Sequence, residues 1–325
     1  MKRILITGAA GFIGFHLARY LKMRGDFVIG LDNFNSYYDP LLKKERAQIL
    51  SQEKIFVETG DIRDQNLLKK ILSENEITHT VHLAAQAGVR HSLAHPEEYV
   101  ASNLDGFASV LEACRTFKQI KLIYASSSSV YGLNKKIPFS VEDPTDHPTN
   151  LYGATKKANE VMAHSYHHLY GLAVTGLRYF TAYGPWGRPD MAYYAFAKKI
   201  MNNEPIPIFN QGKMRRDFTY IDDIVKGTAA AIDLGAPCEL FNLGNNSPVD
   251  LLHLVELLEK ALQKNGIKQM LPMQPGEVVE TYADIEKSRR LLNFHPSVSL
   301  EEGILQFVDW FKTHAASQTP LANAR

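Results

Sequence analysis

The sequence predicts an α/β protein built on a doubly wound parallel sheet, and three observations carry that reading. Short apolar runs alternate with helix-like segments through the first half of the chain. A glycine-rich turn, Gly8 to Gly14, joins the first run to the first helix, and an acidic residue, Asp32, closes the second run. Unbroken apolar strands are buried on both faces of a sheet, and the helices between them supply the crossovers that parallel pairing requires.

The elements follow in order. Arg3–Thr7, with its Ile-Leu-Ile centre, is the first strand, and a helix runs from about Phe12 to Arg24. Strands come next at Phe27–Leu31 and Ile55–Glu58, then a helix at about Asn66–Glu74 and a strand at Thr80–Leu83. A long helix, about Glu97–Thr116, leads to the strand Lys121–Ala125, and a helix over Ala154–Leu169 leads to the strand Ala173–Leu177. Beyond Arg178, the residues Gly184, Pro185, Gly187, Pro189, Pro205 and Pro207 cut the chain into short elements of the kind that build a site. Leu251–Lys264 is amphipathic, Leu300–Phe311 is a last helix, and a frayed tail is expected from Thr313. Neither a repeat nor a low-complexity linker separates the halves. The expected division is a Rossmann-type part at 1–178 with about 220–245, and a smaller, interleaved C-terminal substrate lobe at 179–219 and 246–325.

Composition excludes several classes of function. Among 325 residues, 36 basic and 35 acidic side chains leave a formal charge of +1, so no global field draws nucleic acid or an anionic membrane. Cys114 and Cys238 stand far apart, which excludes a disulfide scaffold or a cysteine-rich metal site and fits a reducing cytoplasm. The apolar run after Lys2-Arg3 ends in the glycine turn, too soon for a signal peptide, and no stretch approaches the ~20 apolar residues of a membrane span. His164, His167 and His168 share a helix, but no carboxylate or cysteine is expected to complete a site with them and the chemistry needs none, so no metal is expected.

The turn TGAAGFIG carries the first chemistry. Gly8, Gly11 and Gly14 let the chain turn tightly and leave bare backbone for a pyrophosphate, while Phe12 and Ile13 open the helix whose amino end offers N–H groups. A carboxylate at Asp32, followed by Asn33, accepts from ribose hydroxyls and repels a 2′-phosphate, so NAD is the expected dinucleotide rather than NADP. Asp61 and Ile62, after the third strand, are candidates for the adenine edge.

Tyr152 and Lys156 place a phenol and an ammonium on one helix face. A cation beside a phenol lowers its pKa and makes it a competent base toward an alcohol. The run Ser126–Ser129 follows a strand and so opens into the crevice at its carboxyl end, where one hydroxyl can bind the reacting oxygen.

Together, TGAAGFIG, Asp61-Ile62, LAAQAGVR (Leu83–Arg90), SSSSVYG, YGATK and RRDFTYIDD (Arg215–Asp223) resemble the nucleotide-sugar epimerases and dehydratases over nearly the whole chain. Within that group, NSYYDPLLK (Asn35–Lys43), LAAQAGVR and YFTAYGPWGRPDMA (Tyr179–Ala192) most resemble the UDP-glucuronate 4-epimerases. The resemblance implies tightly held NAD and a homodimer formed through the helices at about Glu97–Thr116 and Ala154–Leu169. Phe107 and Leu111 are outer positions apolar enough for that contact, though the core could use them equally well. It implies that Leu83, Ala84 and Ala85 line the cofactor, that Ser127 is the catalytic hydroxyl, and that Tyr152 is the base with Lys156 its partner. Arg216 falls on a diphosphate-binding arginine and Glu277 on an acid that binds the uridine ribose, although many relatives have aspartate there and galactose epimerases have arginine where this chain has Gln274.

The serines separate activities within the group. Dehydratases of this kind carry Asp-Glu where Ser128-Ser129 stands, and UDP-glucuronate decarboxylases carry glutamate at the position of Ser129. What remains is oxidation at carbon 4, rotation of the 4-keto sugar and reduction of its other face. A 4-keto glucuronate is a β-keto acid, so its carboxylate must be held out of line with the ketone. Ser128, Ser129, Thr181 and Arg188 are the candidate grip, Arg188 offering a bidentate fork. The alternatives are a 4-epimerase for a neutral UDP-hexose or UDP-N-acetylhexosamine, a decarboxylase, and a non-catalytic NAD-binding regulator on the same fold.

Overall fold

The structure, a computed structural model, describes residues 1–274 and 276–318. Its elements in chain order are β1 (Arg3–Thr7), α1 (Phe12–Met23), β2 (Phe27–Asp32), α2 (Pro40–Gln52), β3 (Phe56–Thr59), α3 (Gln65–Glu74), β4 (His79–His82), α4 (Val89–Ala94), α5 (Pro96–Tyr99), a π-helical segment Val100–Asp105, α6 (Gly106–Arg115) and β5 (Lys121–Ser127). They continue as α7 (Leu151–Tyr170), β6 (Ala173–Tyr179), β7 (Thr181–Tyr183), α8 (Ala192–Met201), β8 (Pro205–Ile208), β9 (Arg215–Tyr220), α9 (Ile221–Leu234), β10 (Cys238–Leu243), β11 (Pro248–Asp250), α10 (Leu251–Leu262), β12 (Ile267–Met270), α11 (Glu286–Leu292) and α12 (Leu300–Gln318).

Seven strands form one parallel sheet in the order β10-β6-β5-β4-β1-β2-β3, the doubly wound arrangement expected from the sequence. Both faces are covered, and alternate residues of β1 divide between them. Ile4 and Ile6 pack with Phe15, Leu17 and Ile232, while Leu5 packs with Leu72, Phe107 and Leu111. Phe107 and Leu111 are fully buried in that second core, so of the two uses the sequence left open for them the core takes both side chains. The exposed side of the same helix carries Glu112 and Arg115, paired at 2.6 Å. The long helix expected at about Glu97–Thr116 is present as one unbroken run whose turns pass from α5 through the π-helical segment into α6, and the wider π turns bury Asn103. Asn103 Nδ2 then donates to the Gln86 carbonyl and to Thr155 Oγ1, tying α7 to the loop after β4.

Chain direction along the sheet reverses between β1 and β4, and the crevice beyond their carboxyl ends is where such sheets hold ligands. Two small sheets, β11-β9-β7 and β12-β8, stand beside it. The last helix runs past Phe311 to Gln318, beyond the expected end, and 319–325 of the expected frayed tail lie outside the described residues.

Candidate active site

The first link is the turn after β1. Gly8 has φ +73°, and a Cβ there would meet the Ala84 backbone nitrogen at 2.7 Å; a Cβ on Gly14 would lie 2.2 Å from the Gly8 carbonyl oxygen. The turn therefore closes only on bare backbone. Gly11 caps α1 without any side-chain hydrogen bond, leaving the first N–H groups of that helix for a ligand. Thr7 Oγ1 bonds His82 Nδ1 at 2.8 Å and accepts from the Ala84 amide at 3.3 Å, which fixes the loop after β4 against the turn.

Asp32 closes β2, where its carboxylate accepts from the Ala10 amide at 3.0 Å and the Phe34 amide at 2.9 Å. Its sequence neighbours offer no cation, but the fold brings Lys43 of α2 to 3.9 Å. Asp61 is held by Arg63 at 2.9 Å and by Asn33 at 3.3 Å; the bond from Arg63 keeps its carboxyl near a pKa of about 2, so an adenine edge would meet a carboxylate already partnered.

Helix α7 carries Tyr152 and Lys156, the pair expected to react. Asn150 caps it by accepting from the Gly153 amide at 2.8 Å, three residues earlier than the expected start, so Tyr152 lies in its first turn. Gly153 is bare because a Cβ would stand 2.6 Å from the Ser129 carbonyl, and that close approach sets the serine run against the phenol. Burial raises the Tyr152 pKa, while its hydrogen bond with Ser127 and the charge of Arg188 lower it. Lys156 Nζ donates to the Ala125 carbonyl at 2.9 Å, and burial pushes its pKa down to about 8. Ser127 and Arg188 thus offset burial at the phenol, a part the sequence leads one to expect of Lys156.

The serines divide by role. Ser126 Oγ donates to Glu160 at 2.6 Å, inside a buried network with Arg178, while Ser127 Oγ accepts from the Ser129 amide at 3.2 Å at the cavity wall. Arg188 does not present an open fork: its Nε donates to Asp190 at 3.0 Å and its Nη2 to the other oxygen of the same carboxylate at 2.5 Å. The bidentate edge assigned to a substrate is occupied by a residue two positions away. Arg216 donates to Glu277 at 3.1 Å, and Arg90 donates to the same carboxylate at 3.3 Å while lying 4.4 Å over the Phe209 ring.

One cavity of about 730 Å³ takes in all of these groups, from the glycine turn through Asp32, Asn33, Asp61, Ile62, Leu83, Ala84 and Ala85 to Tyr152, Lys156, Ser127, Ser128, Ser129, Thr181, Arg188, Arg216 and Glu277. It also takes in Arg90, which the sequence left undecided between a site residue and an ordinary loop arginine, and groups that sequence reasoning missed: Asn35, Tyr37 and Lys43 from the segment after β2, together with Asp190. The signal for the first three was the run NSYYDPLLK itself, whose polar residues had no periodicity to explain them. His164, His167 and His168 do not come together with a carboxylate. Among the described residues, the group with metal-ligand spacing is His91, His95 and Glu98 at the rim, where His91 Nε2 bonds Glu98 at 2.9 Å.

The chain belongs to the NAD dependent epimerase/dehydratase family, whose model matches residues 4–244. It is 50% identical to UDP-glucuronate 4-epimerase 4 of Arabidopsis thaliana, over 96% of this chain and 75% of that protein, and 46% identical to Protein CapI of Staphylococcus aureus, over 95% and 98%. Its structure is similar to that of UDP-glucuronic acid 4-epimerase from Bacillus cereus in complex with UDP-glucuronic acid and NAD, at a TM-score of 0.91 and 38% identity over 96% of this chain and 99% of that one.

Proposed function

We infer that the protein is a UDP-glucuronate 4-epimerase, interconverting UDP-glucuronate and UDP-galacturonate through a 4-keto intermediate. The observation that carries this is the juxtaposition of Tyr152, Ser127 and Lys156 with hydroxyls, and not acids, at positions 128 and 129. The relatives named for the same activity support it.

The cavity fits NAD on three counts: the bare glycine cradle, the uncapped amino end of α1, and the side-chain Nε2 of Gln86, which is buried with no partner among the described residues. Gly8, Gly11, Phe12, Ile13 and Gly14 would hold its pyrophosphate, Asp32 and Asn33 its adenosine ribose, and Asp61, Ile62 and Leu83–Ala85 its adenine side. Bound there and retained through each cycle, it supplies the hydride acceptor and donor at carbon 4. Tyr152 takes the proton of the 4-hydroxyl, Ser127 hydrogen-bonds the same oxygen, and Lys156 holds positive charge beneath them. After the keto sugar has turned, Tyr152 returns the proton to the oxygen on the other face. Arg216 would bind the diphosphate and Glu277 the uridine ribose, with Arg90 steadying Glu277. Ser128, Ser129 and Thr181 hold the sugar carboxylate against the Arg188–Asp190 pair.

The test is a comparison of sugars. We expect kcat/KM for UDP-glucuronate to exceed that for UDP-glucose by about tenfold or more, the worth of hydrogen bonds to a charged group. Equal values would make the neutral-sugar reading the better one.

Cofactor choice gives a second expected result. Protein stripped of dinucleotide binds NADP about tenfold more weakly than NAD, because a 2′-phosphate would meet the Asp32 carboxylate. Lys43, at 3.9 Å, offsets part of that repulsion and keeps the ratio from being larger. Equal affinities by calorimetry would remove this role from Asp32.

The same reading places a homodimer across the helical run from α5 to α6 and helix α7, where Val100 of the π-helical segment and Val161, Leu169 and Tyr170 of α7 face solvent. Light scattering should give a dimer, and Val161→Glu should shift it toward monomer; a monomeric parent protein would contradict the assignment. Cytoplasmic residence belongs to this reading too, supported by the two free cysteines. No described helix is long and apolar enough to cross a membrane.

A further inference from the structure

Arg46 of α2 is fully buried, yet all the acceptors that the structure gives its guanidinium are neutral oxygens. Its Nη1 donates to the Ala10 carbonyl of the glycine turn and to the Tyr38 hydroxyl, both at 2.9 Å. Its Nη2 donates to the carbonyls of Trp186 at 2.6 Å and Gly187 at 3.2 Å, immediately before Arg188. Nε has no partner. Burying a guanidinium on these terms is costly, so the fold gains something specific from the geometry.

What it holds is a strained loop. Trp186 sits at φ +59°, a left-handed conformation unfavourable for a bulky residue, and it persists only where its surroundings impose it. From the same β2–α2 segment, Tyr37 reaches the far end of the loop. Its hydroxyl donates to Asp190 at 3.0 Å, and its ring lies 5.7 Å beneath the Arg188 guanidinium. Gly88 leaves that hydroxyl room, since a Cβ there would stand 2.5 Å from it.

We propose that Arg46 and Tyr37 are positioning residues that fix the Arg188–Asp190 pair relative to the glycine turn, and so keep the carboxylate of a 4-keto sugar out of line with its ketone. The proposal rests on the UDP-glucuronate reading above. When the wall moves, the carboxylate swings into line and the bond between C5 and the carboxylate breaks. Carbon dioxide leaves, the bonding electrons pass through C5 into the C4 carbonyl as an enolate, and water returns a proton to C5. Reduction of that ketone with the hydride taken in the first step gives a UDP-pentose.

The test compares the parent enzyme with Tyr37→Phe and Arg46→Lys, each incubated with UDP-glucuronate, with products separated and UDP-glucose affinity measured in parallel. Tyr37→Phe keeps the ring and removes one hydrogen bond to a carboxylate. We expect kcat/KM to fall about tenfold and UDP-pentose, with its 4-keto form, to rise to on the order of a tenth of the product, while UDP-glucose affinity stays unchanged. Arg46→Lys keeps the charge but cannot span the acceptors, and should move the product ratio the same way. An unchanged product ratio in Tyr37→Phe overturns the inference, whether its rate is normal or depressed, because a merely structural role slows turnover without changing partition. Should the parent enzyme itself make no UDP-galacturonate, the failure lies in the functional reading beneath the proposal.

Discussion

Tyr152→Phe lowers turnover of UDP-glucuronate by about 10²–10⁴-fold while leaving affinity for NAD and the nucleotide sugar nearly intact. On the proposed mechanism the phenol, half-buried in the first turn of α7, exchanges a proton with the sugar, and the phenyl ring of the variant fills the same space. Near-normal turnover in this variant would remove Tyr152 from the chemistry. The pH profile carries further information. Burial disfavours the charged form of Lys156 and brings its pKa down to about 8, so its charge is present below that value and lost as the pH rises through it. The rate should therefore fall on the alkaline side of about pH 8. In Lys156→Arg, whose charge persists, that limb should vanish at whatever rate the variant retains. An unchanged alkaline limb in that variant would assign it to another group.

Glu160→Ala should destabilise the protein by about 3–5 kcal/mol, the usual result of stripping one partner from a buried ion pair. Glu160 accepts from Arg178 Nε at 2.8 Å and Nη2 at 2.9 Å, and both side chains are almost wholly buried. The network continues from Arg178 Nη1 to the Tyr131 hydroxyl at 3.0 Å and from there to Asn242 at 2.6 Å. Ser126 stands in register with Arg178 across β5 and β6 and donates to the same carboxylate, so the pair also anchors the strand that ends in Ser127. Replacing both Glu160 and Arg178 by apolar residues of similar volume should cost less than the single change, because no buried charge is then left alone. Urea unfolding measures both variants; a single-variant loss under about 1 kcal/mol would show that water reaches the guanidinium.

What the sequence made legible was local. The glycine turn, the apolar strands and the Tyr152–Lys156 spacing are short-range patterns, and each expresses one backbone requirement or one helix face. Helix α2 escaped because its buried side carries Lys43 and Arg46 beside Leu42 and Leu50, which breaks the apolar periodicity that marks a helix. Its start was nonetheless written in the chain: Asp39 caps it by accepting from the Leu41 amide, and Pro40 fills the first position. The partners Tyr37–Asp190 and Arg90–Glu277 are 153 and 187 residues apart, a separation that no spacing rule reaches. The pairing of Arg188 with Asp190 was within reach at two residues, but an open loop arginine and a paired one look alike until the backbone is placed.

The central claim is that this cavity turns a 4-keto glucuronate over without letting it lose its carboxylate. The most direct measurement incubates the purified protein, with no added NAD, with UDP-glucuronate and separates the nucleotide sugars formed. The account predicts UDP-galacturonate accumulating over many turnovers to a fixed ratio with UDP-glucuronate, without a UDP-pentose. A UDP-pentose as the main product, or UDP-glucuronate left unconverted when NAD is then supplied, would contradict it.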